Sequence, residues 1–144
     1  MQQLPSHRHS PWHAGEKQLQ EKVGVAERME VLGQKVIRDY MPDQHRDFYR
    51  QLPFMIAGAV DAAGQPWATL IEGEEGFVTS PDPRQLSFDL AAMALDPLDP
   101  ATSGLHAGGA IGLLGIELHT RRRNRINGHI RQASAQRLDI DVEH

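Results

Sequence analysis

Two periods divide the chain. From Glu16 to Leu52 apolar residues recur at helical spacing, and beyond Leu52 they alternate or run together in short stretches rich in β-formers. Leu19 and Val23 sit four apart with Gly24 behind them, which predicts a first helix beginning near Glu16. Met29, Leu32 and Val36 share one helical face and predict a second helix from about Val25 to Asp39. Gly33 weakens that helix by up to about 1 kcal/mol relative to alanine. The run "MPDQHRDFYRQL" predicts a third helix, with Pro42 near its first turn and Phe48 and Leu52 facing inward. Residues 1–12 have two prolines and no periodicity, and read as a mobile arm.

After Leu52 the period is that of strands. "FMIAGAVDAAGQPWATLIEG" predicts a hairpin of strands 54–61 and 66–72, turning through Ala62 to Gln65 with Gly64 inside. A short strand at 77–79, a Ser-Pro-Asp-Pro break and a strand near 85–90 follow. Residues 91–108 predict loop or short helix. The near-continuous apolar run 110–118 reads as a buried strand, which turns tightly into 121–130, and "LDIDV" at 138–142 alternates as a last strand. Counted as six short strands after a helical leader, the pattern predicts an α+β chain, mainly β, built as a small antiparallel barrel. The expected division is an arm and helical extension over 1–52 and a barrel domain over 53–144.

Composition narrows the chemistry. A chain of 144 residues, 40% hydrophobic and 24% charged, is an ordinary globular composition. The absence of cysteine excludes disulfides, thiolate chemistry and cysteine metal sites. The longest apolar run, Phe54 to Val60, is far shorter than a membrane span, and the first twenty residues lack the apolar segment of a secretory signal. The expected location is the cytoplasm, with no membrane partner. His7, His9 and His13 fall in or beside the arm, without the acidic partners that a held metal needs, so no metal is expected.

One stretch stands apart. "TRRRNRINGHI" at 120–130 concentrates arginine in a chain of formal net charge −4. If 121–130 is extended, Arg121, Arg123, Arg125, Asn127 and His129 share one face, and Arg122, Asn124, Ile126 and Ile130 the other. Same-face neighbours lie about 7 Å apart, twice the rise per residue, so the guanidiniums repel unless an anion or carboxylates lie among them. Arginine forks bind phosphate bidentately and stay charged. The acidic balance and 6% aromatic content argue for a compact anion rather than nucleic acid. A solvated, charge-protected strand edge is the competing reading.

Taken in order, "GAVDAAGQPWATLIEGEEGFVTSPDPRQL" and "IGLLGIELHTRRRNRINGHI" resemble the pyridoxamine 5'-phosphate oxidase-related FMN-binding split-barrel proteins. "WHAGEKQLQEKVGV" and "YMPDQHRDFYRQLPF" are similar to the N-terminal extension of one bacterial subgroup. The resemblance covers roughly residues 12–130. It implies a six-stranded antiparallel split barrel that forms a homodimer, with FMN in a groove between the subunits. The second hairpin strand, here Pro66, Trp67, Ala68, Thr69 and Leu70, is implied to run beside the flavin. Thr79, Ser80 and Arg84 match the positions that hold the phosphate. The family's "R-Q-V-R-x-E-G" strand aligns with "RRNRING", which places Arg123 at a flavin-contacting position and Arg122 and Arg125 at the two arginine positions. Asn127, next to the final Gly128, joins the implied cofactor-binding set.

The match also departs from the family. "PWATLI" lacks the arginine and lysine of the family's "R-x-V-L-L-K" run, which leaves Arg84 and the basic strand to hold the phosphate. Nothing after "DIDVEH" matches the family's substrate-recognition segment, so vitamin interconversion is not expected, and the chain reads either as one part of a longer flavoprotein or as a trimmed form of one. The expected function is that of an FMN-dependent oxidoreductase with catalytic residues and substrate unassigned. A flavin carrier or sensor, and a haem protein ligated through His119 or His129, are the alternatives.

Overall fold

The computed structural model describes residues 9–90 and 95–144. His7 and most of the arm lie outside them, as do residues 91–94 of the segment expected to be loop. The described residues form two compact units, divided between Arg38 and Asp39.

In the first unit, α1 (Ala14–Lys22) and α2 (Ala26–Val36) form a helical pair. His13 caps α1: its ring accepts from the Gly15 and Glu16 N–H groups while the Glu16 carboxylate accepts from the His13 N–H, the reciprocal arrangement that satisfies orphan donors at a helix start. Gly24, at φ 71°, turns the chain between the helices. Gly33 has a reason to be glycine. A Cβ there would lie 2.6 Å from the Trp12 indole nitrogen, which donates to the Met29 carbonyl at 2.9 Å. The face expected to turn inward is largely solvated, with Leu32 and Val36 exposed together with Leu19, Val23 and Val31.

The second unit is one antiparallel sheet closed over by a helix. Its strands are β1 (Phe54–Val60), β2 (Pro66–Glu72), β3 (Val78–Thr79), β4 (Gln85–Asp89), β5 (Ala110–Glu117), β6 (Arg122–Ala133) and β7 (Arg137–Val142). They are ordered β2-β1-β5-β6-β7-β4-β3. The sheet thus has seven strands, one for each predicted run, where six were counted; the two-residue β3, at the expected 77–79, pairs with β4 through Val78↔Phe88 and Thr79↔Ser87. The β1–β2 turn is organised by Asp61: one carboxylate oxygen accepts from the Ala63 and Gln65 N–H groups, the other from the Trp67 indole. Arg121, at φ 60°, belongs to the β5–β6 turn rather than to the strand. This removes it from the face that alternation alone would assign it.

Helix α3 (Asp43–Arg50) supplies the lid of the core. Phe48, Tyr49 and Leu52 are buried, and a Cβ on Gly115 would lie 2.8 Å from Leu52 and 3.0 Å from Tyr49. The helix therefore packs straight onto the β5 backbone, in the same compact unit as the strands, although the sequence division at 52/53 groups it with the leader. Phe88, Leu86, Ile130 and Ile140 extend the same core across β4, β6 and β7. A 3-10 turn, Pro100–Gly104, follows an N-cap at Asp99.

Candidate functional site

Cross-strand register sorts the expected site residues onto two faces. Met55, Ala57 and Ala59 of β1 are buried, and Ala57 and Ala59 pair with Thr69 and Trp67 of β2. Trp67 and Thr69 therefore belong to the inner face. Each is hydrogen-bonded to a carboxylate: Trp67 to Asp61, and the Thr69 hydroxyl to Asp99 in a very short contact. These bonds are the leading cause holding the Asp61 and Asp99 carboxyls below the usual carboxylate range.

The outer face collects Ala68, Leu70, Arg123, Arg125 and Asn127. One row across the sheet runs Leu70, Ile56, Leu114, Arg125 and the next runs Ala68, Gly58, Gly112, Asn127. The ends of each row are three strand spacings apart, about 14 Å. Between them the floor is apolar and nearly flat. A Cβ on Gly58 would meet nothing nearer than 3.8 Å, and one on Gly112 only the Asn127 side-chain oxygen at 3.5 Å. A groove of about 350 Å³ opens along this floor, lined by Gly58, Val60, Trp67, Gly112, Asn127 and His129 among others, within the size range of small-molecule sites.

Arg123 and Arg125 are exposed at the β6 side of this face, and no ion pair or hydrogen bond engages either among the described residues. Arg122, on the opposite parity, lies with its guanidinium 4.7 Å from the Phe48 ring centroid and pairs in register with Glu117. The three arginines assigned to one cofactor are thus split, two on the outer face and one against α3.

Thr79, Ser80 and Arg84 sit at the other end of the strand order, around the β3–β4 turn. Ser80 is engaged twice: its hydroxyl accepts from Arg46 at 2.9 Å and donates to the Asp82 carbonyl at 2.7 Å. Arg84 pairs with Asp39 at 2.6 Å, neither of the acids beside it in sequence. Ser80 reaches a ligand by exchanging its partners, whereas the exposed Arg84 keeps further guanidinium N–H groups beside the one on Asp39.

Sequence reasoning missed Arg46 and Arg50. They line a hollow of about 290 Å³ with Asp43, Asp47 and Ser80, and Arg46 also bonds Asp43 at 3.0 Å. Their i, i+4 spacing on a predicted helix was the available signal. The pairing of His129 Nδ1 with Glu143 Oε1 at 2.6 Å was likewise unforeseen. Among the described residues no group of three or more His, Asp or Glu side chains is arranged to hold a metal. Nor is any described helix long and apolar enough to cross a membrane.

No protein-family model matches the chain, and no curated protein matches it in sequence. Solved structures do. A candidate pyridoxamine 5'-phosphate oxidase of Lactobacillus delbrueckii superposes at a TM-score of 0.56 with 12% identity, over 75% of this chain and 94% of that one. HupZ of Group A Streptococcus superposes at 0.54 with 13% identity, over 72% of this chain and 96% of that one. At such low identity it is the fold that is shared. The chain has the split-barrel fold of the pyridoxamine 5'-phosphate oxidase-like proteins.

Proposed function

We propose that this chain is an FMN-binding flavoprotein of the oxidoreductase type, active as a homodimer that holds the flavin on the outer sheet face. The observation that carries the reading is the juxtaposition on that face: an apolar groove floored by Gly58 and Gly112, with Arg125 one row and Arg123 two rows away along β6, both unpaired among the described residues. A planar apolar ring needs the first, and a phosphate tail the second.

The chain's residues divide the work. Ala68, Leu70 and the glycine floor exclude water from the ring. Arg125 and Arg123 offer charge-assisted donors to an anion, and a guanidinium beside the reduced ring opposes its added negative charge. Asn127, at the groove, offers both a donor and an acceptor to the ring edge. The flavin, when bound, supplies the redox chemistry, and the protein holds and tunes it.

A second copy is part of the proposal. Leu70 is 55% exposed and Val60 46% exposed on a face that also carries Ile56, Leu114 and Ile116, an apolar patch of the kind that marks an interface. Glu72 lies at the β2 edge of this face and Arg123 at the β6 edge. Packing two such faces about a two-fold axis brings opposite charges together.

Titrating the purified protein into FMN tests the reading. Quenching of flavin fluorescence with micromolar or tighter affinity is expected, and unchanged fluorescence at tens of micromolar protein would defeat it (orders of magnitude only). Steady oxidation of reduced nicotinamide by the flavin-loaded protein separates an enzyme from a carrier.

A further inference from the structure

At one end of the groove stands a polar pair that the flavin reading does not use. His129 and Glu143 both line the groove, with His129 Nδ1 2.6 Å from Glu143 Oε1. Nδ1 donates to the carboxylate, which leaves Nε2 as the nitrogen free to accept a proton. The backbone that carries the carboxylate is itself tied down. The Glu143 N–H donates to the Asn127 carbonyl at 2.9 Å, and the Asn127 N–H to the His144 carbonyl at 2.6 Å. The tail after β7 is thereby laced to β6 beside the groove.

The charged groups around this pair lie on β6 and β7. Asp141 of β7 stands opposite His129 in register, but its carboxylate is taken by Arg131 at 2.6 and 3.1 Å. On β5 the flanking residues are Ala110 and Gly112, which carry no charge. His144 contributes its carbonyl to the Asn127 tie. Glu143 is thus the carboxylate in contact with the imidazole, while the cations of β6 nearest in sequence are Arg131, two residues on and paired to Asp141, and Arg125, four residues back.

We propose that His129, oriented by Glu143, takes up a proton in step with two-electron reduction of the ring in the groove. This rests on the flavin reading. Hydride from a reduced nicotinamide brings two electrons and one proton and leaves one negative charge on the ring. A second proton passes from solvent to His129 Nε2, so that an imidazolium faces that charge. Nδ1 keeps its proton on Glu143 throughout, and reoxidation returns the Nε2 proton to solvent. His129 is the proton-uptake residue, and Glu143 positions it.

The test is the midpoint potential of the FMN-loaded full chain, followed from about pH 6 to 8, where imidazoles ordinarily titrate. The wild type should take up about two protons per electron pair, and His129→Gln about one, which halves the slope of potential against pH. Glu143→Gln should take up fewer protons per electron pair than the wild type, because the imidazolium loses its carboxylate partner. A His129→Gln protein with the wild-type slope overturns the proposal and leaves the flavin reading standing. A wild type that binds no FMN overturns both. If His129→Gln does not fold, Glu143→Gln decides, and a wild-type slope in that variant is the contrary result.

Discussion

Strand β6 offers two faces of the same backbone for comparison. Ile126, Gly128 and Ile130 are buried against the core, whereas Arg123, Arg125 and His129 are exposed on the other side. On the inner face even the polar groups of β2 are engaged, Trp67 by Asp61 and Thr69 by Asp99. On the outer face no ion pair or hydrogen bond engages the two arginines among the described residues, and the row next to Arg125 is floored by Gly58 and Gly112. The inner face is complete within one chain. The outer face combines apolar area with uncompensated charge, which is what an incomplete site or interface looks like. Substitutions on the two faces should accordingly fail in different ways.

The largest effect should come from the inner face. Phe88→Ala empties a site with no exposure, and a loss of about 4 kcal/mol in chemical denaturation is expected. Gly128→Ala comes next at about 3 kcal/mol, because its Cβ would lie 2.1 Å from the Asp141 carbonyl oxygen. On the outer face the pattern reverses. Arg123→Ala and Arg125→Ala should each weaken FMN binding about tenfold, read by fluorescence titration, while stability moves by only a few tenths of a kcal/mol. An Arg125→Ala protein that loses stability but keeps its affinity would erase the distinction between the faces.

A smaller effect belongs to the β2 edge. Asp61 and Asp99 have carboxyls depressed chiefly by their bonds to Trp67 and Thr69. A depressed carboxyl stabilises the fold above its unfolded value near pH 4, and that contribution disappears as pH falls through the lower folded value. Thr69→Val removes the bond to Asp99, so acid unfolding of the variant should depend less steeply on pH below about 4. A variant with the wild-type acid profile would show that the Thr69–Asp99 bond does not carry this dependence.

Much of this was legible in the chain because alternation is a local property. The hairpin 54–72, the strand 110–118 and the parity of 122–130 follow from period-two patterning, and parity alone separated Arg122 from Arg123 and Arg125. The helical leader was legible in its boundaries but not in its packing, since Trp12 closing on Gly33 depends on a contact that no periodicity encodes. Arg121 escaped because a single left-handed turn residue ends the alternation before it reaches the strand. The phosphate-site residues show the same limit. That Ser80 answers to Arg46, and Arg84 to Asp39, reflects partners 34 and 45 residues away. His129 with Glu143 is another contact between distant positions, made only once β7 has returned beside β6.

Sedimentation velocity of the protein with FMN, followed at the flavin's visible absorbance, tests the central claim most directly. The account predicts that flavin colour travels with a boundary of twice the chain's mass. Colour left behind with the free small molecule, or carried by a single chain, would contradict it.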